Sequence, residues 1–400
     1  MRVVLGVSAG IAAYKACELL RLFTESGHEV RVVPTRDALR FVGEPTWAAL
    51  SGHPVATDVW DDVHEVPHVR LGQRADLVVV APATADVLAR AAHGLAGDLL
   101  TNTLLTARCP VVFAPAMHTE MWEHAATRAN VATLRERGSI VIDPAVGRLT
   151  GADTGPGRLP DPEEIFEICL RVMAGRPRDL AGRKVVISAG GTREALDPVR
   201  YLGNRSSGLQ GYALARTAVA RGAEVTLVAA NVSLGDPAGA KVIRVESAVE
   251  LRDAVLSAAA DADAVVMAAA VADFRPAVRH DSKIKKTSGE PEPIELVKNP
   301  DILAELGERR RAGAFAPARP AVIAGFAAET DDVLANGKAK LARKGCDLLV
   351  VNQVGEGLAF GTPDNAATIL AADGSQVEVP RGPKEDLADA VWDLVAARLS

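Results

Sequence analysis

One order of segments occurs twice in this chain and limits what it can fold into. A short β-rich run, "RVVLGV" (Arg2 to Val7), passes through a glycine-bearing turn into "IAAYKACELLRLFTESG", whose apolar spacing is helical and which Gly27 can end. A second β-rich run, "HEVRVVPT", follows. The same order returns in "KVVISAGGTRE" and "GYALARTAVARGAEVTLVAA". Strands alternating with helices build parallel sheets covered on both faces. Further buried-strand runs extend each half: "ADLVVVAPAT" and "PVVFAPAM" in the first, "DAVVMAAAVADF", "AVIAGFAAET" and "CDLLVVN" in the second. The expected fold class is α/β, with two Rossmann-like domains and mostly parallel sheets.

Length and composition agree with this. At roughly 100–200 residues per domain, 400 residues make two or three domains. Hydrophobic residues reach 48% while aromatics are only 4%, so Ala, Val, Leu and Ile must build the cores. Between the two copies, "MAGRPRDLAGRK" (Met173 to Lys184) is basic and lacks periodicity, which puts a boundary near residue 178 and predicts domains 1–178 and 179–400. A net charge of -6 with interspersed signs argues against a nucleic-acid surface. Cys17, Cys109, Cys169 and Cys346 lie too far apart for a zinc grip or a disulfide framework and read as reduced thiols. The opening "MRVVLGVSAGIAAYK" superficially resembles a signal peptide, but two glycines interrupt its apolar run, so a strand turning into a helix is expected. No run of 18 apolar residues occurs, so no membrane association and a cytoplasmic location are expected.

Ligands in open parallel sheets bind beyond the C-terminal ends of the strands. In the first half those ends hold Ser8, Gly10 and Ile11, then Thr35, then Ala81, Pro82, Ala83 and Thr84, then "APAMH" (Ala114 to His118). A hydroxyl and backbone N–H groups at a helix start suit a phosphate. The small Ala and Pro residues let a flat ring approach the backbone. Within "PAMHTEMWEH", His118, Glu120 and His124 raise the question of a metal, as do His64 and His68, four residues apart.

On these motifs the first half resembles the flavin-binding cysteine decarboxylases: "SAGIAAYK", "HVRLGQRADLVVVAPATAD", "PAMH" and the substrate-clamp segment "GADTGPGRL" stand in the family's order. From "SAGGTREALDPVRYLGNRSSG" through "AAAVADFRP", "KIKK", "KNPDIL", "GFAAET" and "NQVGEGLAFGTPDN", the second half resembles a phosphopantothenate–cysteine ligase. Together they cover nearly the whole chain and resemble the bifunctional phosphopantothenoylcysteine decarboxylase/phosphopantothenate–cysteine ligases of coenzyme A biosynthesis.

The resemblance implies a flavodoxin-like domain holding FMN at Ser8, Gly10, Ile11, Thr35 and Ala81 to Thr84, with His68 as the active-site histidine. His118 stands where the family usually places the asparagine that holds the substrate carboxylate, and an imidazole N–H can donate in its place. On this reading His118 is substrate wall, not a metal ligand. The cysteine that many relatives carry before the clamp is absent, so Thr150, Asp153 or water would supply the last proton.

For ligation, the resemblance implies CTP and Mg²⁺, activation of 4'-phosphopantothenate as an acyl-cytidylate, and cysteine as acceptor. Asn204 then engages the acyl group, and Ser206, Ser207 and Gly208 form a phosphate nest, although Leu209 replaces a common lysine. Met267, Ala268, Ala269, Pro300, Asp301, Ile302, Leu303, Phe326, Lys340 and Lys344 border the nucleotide. Lys283 of "KIKK" (with Lys285 and Lys286) meets the triphosphate, and Asp273 holds the metal. Trimeric flavin domains and dimeric ligase domains are implied as well. Two rivals remain in view. A short-chain dehydrogenase lacks its Tyr-x-x-x-Lys pair here, because Tyr14, Tyr201 and Tyr212 are followed four residues later by Glu18, Arg205 and Arg216. A flavin-binding regulatory protein with a working ligase half but no decarboxylation is the other.

Overall fold

The computed structural model describes residues 1–56, 67–149, 153–285, 293–315, 319–329, 333–353 and 364–400. It divides into two compact units, Met1–Pro177 and Arg178–Ser400.

In the first unit, strands β1 (Arg2–Val7), β2 (Glu29–Pro34), β3 (Leu77–Ala83), β4 (Val111–Pro115) and β5 (Ile140–Val141) form one sheet in the order β2-β1-β3-β4-β5. Every neighbouring pair is parallel. This is the flavodoxin-like order, whose switch point lies between β1 and β3. All seven residues of β3 are buried, as a central strand covered on both faces requires. The helices are α1 (Lys15–Glu25), α2 (Glu44–Ser51), α3 (Pro67–Arg74), α4 (Ala85–His93), α5 (Leu99–Thr106), α6 (Thr119–Glu123), α7 (Ala125–Glu136) and α8 (Pro162–Met173). Ala16, Leu19, Leu20 and Phe23 of α1 recur at helical spacing and enter the core. A separate antiparallel hairpin, β6 (Ala145–Arg148) with β7 (Thr154–Arg158), lies outside the sheet.

In the second unit, β8 (Lys184–Gly190), β11 (Glu224–Ala230), β12 (Ala240–Val245), β13 (Ala264–Met267), β16 (Val322–Glu329), β17 (Leu348–Gln353), β18 (Asp364–Ala371) and β19 (Gln376–Pro383) form an eight-stranded sheet. Its order is β12-β11-β8-β13-β16-β17-β18-β19, parallel up to β17 and antiparallel beyond. The parallel part follows the Rossmann order, which reverses direction between β8 and β13. Two short hairpins, β9 (Arg193–Ala195) with β10 (Tyr201–Gly203) and β14 (Phe274–Pro276) with β15 (Leu296–Lys298), rise from strand ends. The helices are α9 (Leu209–Ala220), α10 (Ala248–Ala259), α11 (Ile302–Arg311), α12 (Val333–Lys344) and α13 (Lys384–Leu399). Trp392 of α13 is fully buried, and its Nε1 donates to the Leu214 carbonyl of α9 at 2.9 Å, which locks these two helices side by side.

The structure departs from the sequence reading at two places. The helix expected from Ile11 opens as a 3₁₀ turn (Ile11–Tyr14), because Ala13 N–H closes on Gly10 O at 3.0 Å, and regular α-helix begins only at Lys15. The antiparallel edge, β18 and β19, was not anticipated. Among the described residues no helix is long and apolar enough to cross a membrane.

Candidate functional site

The first site forms where the flavodoxin-like sheet changes direction. Thr35, Thr84 and Ser8 line a cavity of about 590 Å³ there, with Arg36, Asp86, Arg90 and Met121. Ser8 is buried, and its Oγ donates to Pro82 O at 2.8 Å and accepts from Thr84 N–H at 3.0 Å. The hydroxyl proton expected to meet a phosphate therefore closes the β1–β3 turn instead. Thr35 Oγ1 accepts Ala38 N–H and Thr84 Oγ1 accepts Val87 N–H, so each caps the helical turn that follows it. The Ala81–Pro82 peptide is cis. Gly10 fits a close-lying group, since a Cβ built there would meet no chain atom within 4 Å. Arg36 and Arg90 were missed because a lone surface arginine carries no motif.

His68 lies on α3, next to Pro67. α3 packs closely on α5 because Gly72 has no side chain: a Cβ there would sit 2.2 Å from Thr106 Oγ1. That hydroxyl donates to His68 O at 2.8 Å and fixes the start of the helix. His68 Nδ1 is buried and has no hydrogen-bond partner among the described residues. His118 is exposed and begins α6, its carbonyl accepting Met121 N–H and Trp122 N–H at 3.0 Å each. The β6–β7 hairpin is tied to this turn by Met117 N–H donating to Gly157 O at 2.9 Å. Gly157 has φ +147°, and a Cβ there would lie 2.3 Å from Met117 O, so only glycine allows the approach. His124 Nδ1 accepts Ala126 N–H at 3.2 Å and caps α7, while Glu120 is exposed. No group of three His, Cys, Asp or Glu suited to a metal occurs among the described residues. Asp153 is exposed, whereas His64 and Thr150 lie outside the described residues.

The second site is a cleft of about 850 Å³ at the C-terminal ends of β13, β16 and β17, within the range of small-molecule sites. Its lining brings together Asn204, Ser206, Ser207, Gly208, Met267, Ala268, Ala269, Asp273, Pro300, Asp301, Ile302, Leu303, Phe326, Lys340 and Lys344. The "AAAVADF" loop is stitched in place: Ala269 N–H donates to Ser188 Oγ at 3.1 Å, Ala272 N–H to Thr192 Oγ1 at 3.0 Å, and Asn299 Nδ2 to Ala272 O at 2.9 Å. Asn204 Nδ2 donates to Val271 O at 3.0 Å. Asp301 Oδ1 caps α11 through Ala304 N–H, and its Oδ2 pairs with Lys344. Lys298, Arg343, Asn352, Asn365, Gln210 and Lys384 also line the cleft and were not singled out from sequence. Asn365 ends a quoted motif and Lys298 begins one, so position within those motifs was a usable signal.

Lys283 stands apart. It is exposed, on the segment after β14, and is not among the residues lining the cleft. Its neighbour Ile284 is held from both sides, with its N–H donating to Asp197 Oδ2 at 3.2 Å and its carbonyl accepting from Arg200 at 2.8 Å. Lys286 lies outside the described residues, as does most of "NQVGEGLAFGTPDN".

Two family models match. Residues 1–173 match a model described as Flavoprotein, and residues 180–399 match one described as the DNA/pantothenate metabolism flavoprotein C-terminal domain. A Mycolicibacterium smegmatis protein named Coenzyme A biosynthesis bifunctional protein CoaBC is 59% identical over 406 residues, covering 100% of this chain and 98% of its own. A protein of the same name from Mycobacterium tuberculosis strain H37Rv is 58% identical over 407 residues, covering 100% and 97%. A solved structure, the C-terminal domain of Coenzyme A biosynthesis bifunctional protein CoaBC, is 34% identical, covers 56% of this chain and 98% of its own, and has a TM-score of 0.46.

Proposed function

The chain belongs to the family of bifunctional coenzyme A biosynthesis proteins, and on that premise we propose two linked activities. Residues 179–400 condense 4'-phosphopantothenate with cysteine at the expense of CTP, and residues 1–178 decarboxylate the resulting 4'-phosphopantothenoylcysteine with FMN. The observation that carries this reading is that each unit opens its own cleft beyond the C-terminal ends of its strands, the first lined by Ser8, Thr35 and Thr84 and the second by the Asn204–Gly208 and Met267–Asp273 segments.

In the ligase unit, the pantothenate carboxylate attacks the α-phosphorus of CTP and pyrophosphate leaves, giving an acyl-cytidylate. The cysteine amine then attacks the acyl carbon and CMP leaves. Lys340 and Lys344 offset charge on the phosphates, and Asn204 orients the acyl group. Asp273 is one exposed carboxylate on the cleft wall, which suits Mg²⁺ because that ion is commonly held by one or two carboxylates together with substrate phosphates. Lys283 is assigned to the triphosphate on the family resemblance.

In the other unit, Thr35, Thr84 and the open space at Gly10 fit FMN, which when bound supplies the electron sink that an unactivated cysteine amide lacks. His68 moves a proton at the substrate, His118 holds its carboxylate, and the β6–β7 hairpin shields the site from water. The assembly follows the family, with trimeric flavin units, dimeric ligase units and a cytoplasmic location.

The test uses purified protein. It should carry a flavin spectrum, release pyrophosphate from CTP only when phosphopantothenate is present, and release carbon dioxide from phosphopantothenoylcysteine. A protein with flavin and ligation but no carbon dioxide release would instead establish the regulatory alternative. Absence of both products would overturn the proposal.

A further inference from the structure

One carboxylate in the first unit joins two segments that the proposed mechanism uses separately. Asp161 is the N-cap residue of α8, yet its side chain makes no cap hydrogen bond to that helix, the contact an aspartate in this position usually makes. The carboxylate serves two cations instead. Its Oδ1 accepts from Lys15 Nζ at 3.0 Å and from Arg158 Nη2 at 3.2 Å, and its Oδ2 lies 3.4 Å from the same guanidinium nitrogen. Lys15 is the first residue of α1, directly after the Ile11–Tyr14 turn, and Arg158 is the last residue of β7.

Strand β7 is also seated on the turn that carries His118. Gly157 O accepts Met117 N–H at 2.9 Å, and Gly155 lies so close to α6 that a Cβ there would meet Thr119 Oγ1 at 2.3 Å. Asp161 adds the link to α1. Among the described residues neither Lys15 nor Arg158 has a second carboxylate within ion-pair distance, so one oxygen neutralises both. Without that carboxylate two like charges would be left close together, and attraction at the joint would become repulsion. This separates Asp161 from an ordinary exposed ion pair, whose loss costs little. Helix α8 does not depend on it, because the Phe166 ring packs edge-on against Phe23 of α1 with centroids 5.0 Å apart. Loss of the carboxylate therefore frees the hairpin and leaves the helix pair in place.

We propose that Asp161 is a positioning residue for decarboxylation: by holding Lys15 and Arg158 on one carboxylate, it seats the β6–β7 hairpin against the turn that leads from the first cavity into α1. The inference rests on the decarboxylase reading above. Asp161 does not touch the reacting atoms. A loosened hairpin weakens binding of phosphopantothenoylcysteine, because part of the binding free energy is then used to order it. The chemical step, once substrate is bound, proceeds as before.

The experiment is carbon dioxide release by the full-length, flavin-loaded protein at varied phosphopantothenoylcysteine, for Asp161→Asn, Asp161→Glu and the double variant Lys15→Gln/Asp161→Asn. Melting temperature and the rate of trypsin cleavage after Arg148, which is exposed on β6, are measured alongside. Asp161→Asn should raise KM about 3–10-fold with kcat within about twofold of wild type. It should also be cut faster after Arg148 and melt as wild type does. Asp161→Glu keeps the charge and should recover most of the KM. Adding Lys15→Gln to Asp161→Asn should do no further harm, because it removes one of the two repelling charges. Wild-type KM and wild-type cleavage in Asp161→Asn would overturn the proposal. So would equal impairment of the asparagine and glutamate variants with a matching fall in melting temperature, which marks a structural residue. If the wild-type protein itself releases no carbon dioxide, the decarboxylase reading is what has failed, and the cleavage rates alone then decide whether Asp161 seats the hairpin.

Discussion

Ser8 Oγ ties the C-terminal ends of β1 and β3 together, donating to Pro82 O at 2.8 Å and accepting Thr84 N–H at 3.0 Å. Thr84 in turn caps α4, so one buried hydroxyl sets the turn that shapes the first cavity. Ser8→Ala leaves a buried carbonyl and an amide without that partner, at a cost of about 1–3 kcal/mol. The variant should melt lower than wild type and lose its flavin absorbance more readily on gel filtration. Unchanged melting and flavin content would show that the bridge is dispensable.

His68 combines a fixed backbone with an unspent buried nitrogen. Thr106 Oγ1 anchors its carbonyl at 2.8 Å, and its Nδ1 has no partner among the described residues. A buried polar atom without a partner is costly, so a bound substrate or a second copy is its natural complement. His68→Asn should slow carbon dioxide release by about 10²–10⁴-fold, the usual contribution of a positioned acid or base. Flavin absorbance and pyrophosphate release serve as controls. Carbon dioxide release at the wild-type rate would remove His68 from the chemistry.

Much of this architecture could be read directly from the residues, because local signals sufficed. β1, β3, β8 and β13 are apolar runs ended by Gly, Pro or Ala, and covering helices bury both of their faces. The cleft-lining motif residues cluster because each follows a strand end. What escaped depends on contacts distant in sequence. Ser8 reads as a phosphate ligand until Pro82, 74 residues away, is seen to take its proton. Gln210, Asn365 and Lys384 have no mutual sign in the sequence, since 155 and 174 residues separate the bonded pairs. The edge strands β18 and β19 were hidden for a different reason. Their partly exposed residues alternate irregularly, and a bulge between Asn365 and Ala367 breaks the period that would mark them.

Asp197 makes acid stability a readout of the loop that follows β14. Burial opposes its charge, but the Arg200 guanidinium and the N–H groups of Val199, Ile284 and Arg200 more than offset this and hold its pKa well below the carboxylate range. A depressed folded-state pKa gives stability that is fully present above the unfolded value near ~3.9. That stability drains away as pH falls through the folded value. Wild-type protein should therefore lose stability progressively below about pH 4. Asp197→Asn should be less stable at neutral pH but should lose less on acidification. Parallel melting-temperature curves across that range would rule out this contribution.

Lys283 poses the sharpest test, because resemblance and geometry point to different places for it. Its segment is pinned at Ile284 by Asp197 and Arg200, and the side chain does not line the cleft of its own unit. If its ammonium nevertheless reaches the triphosphate during turnover, it stabilises charge that develops as pyrophosphate leaves, and it affects the transition state more than the ground state. Losing such a contact typically costs about 10²–10³ in rate. Lys283→Gln should then depress kcat for CTP-dependent pyrophosphate release by that factor, while carbon dioxide release from preformed phosphopantothenoylcysteine continues. Asp197→Asn, which loosens the same segment without removing the lysine, should lower kcat by a smaller factor. Ligation at the wild-type rate in Lys283→Gln would mean that its exposed position is its working position, leaving Lys340 and Lys344 of the cleft lining as the lysines proposed to meet the phosphates.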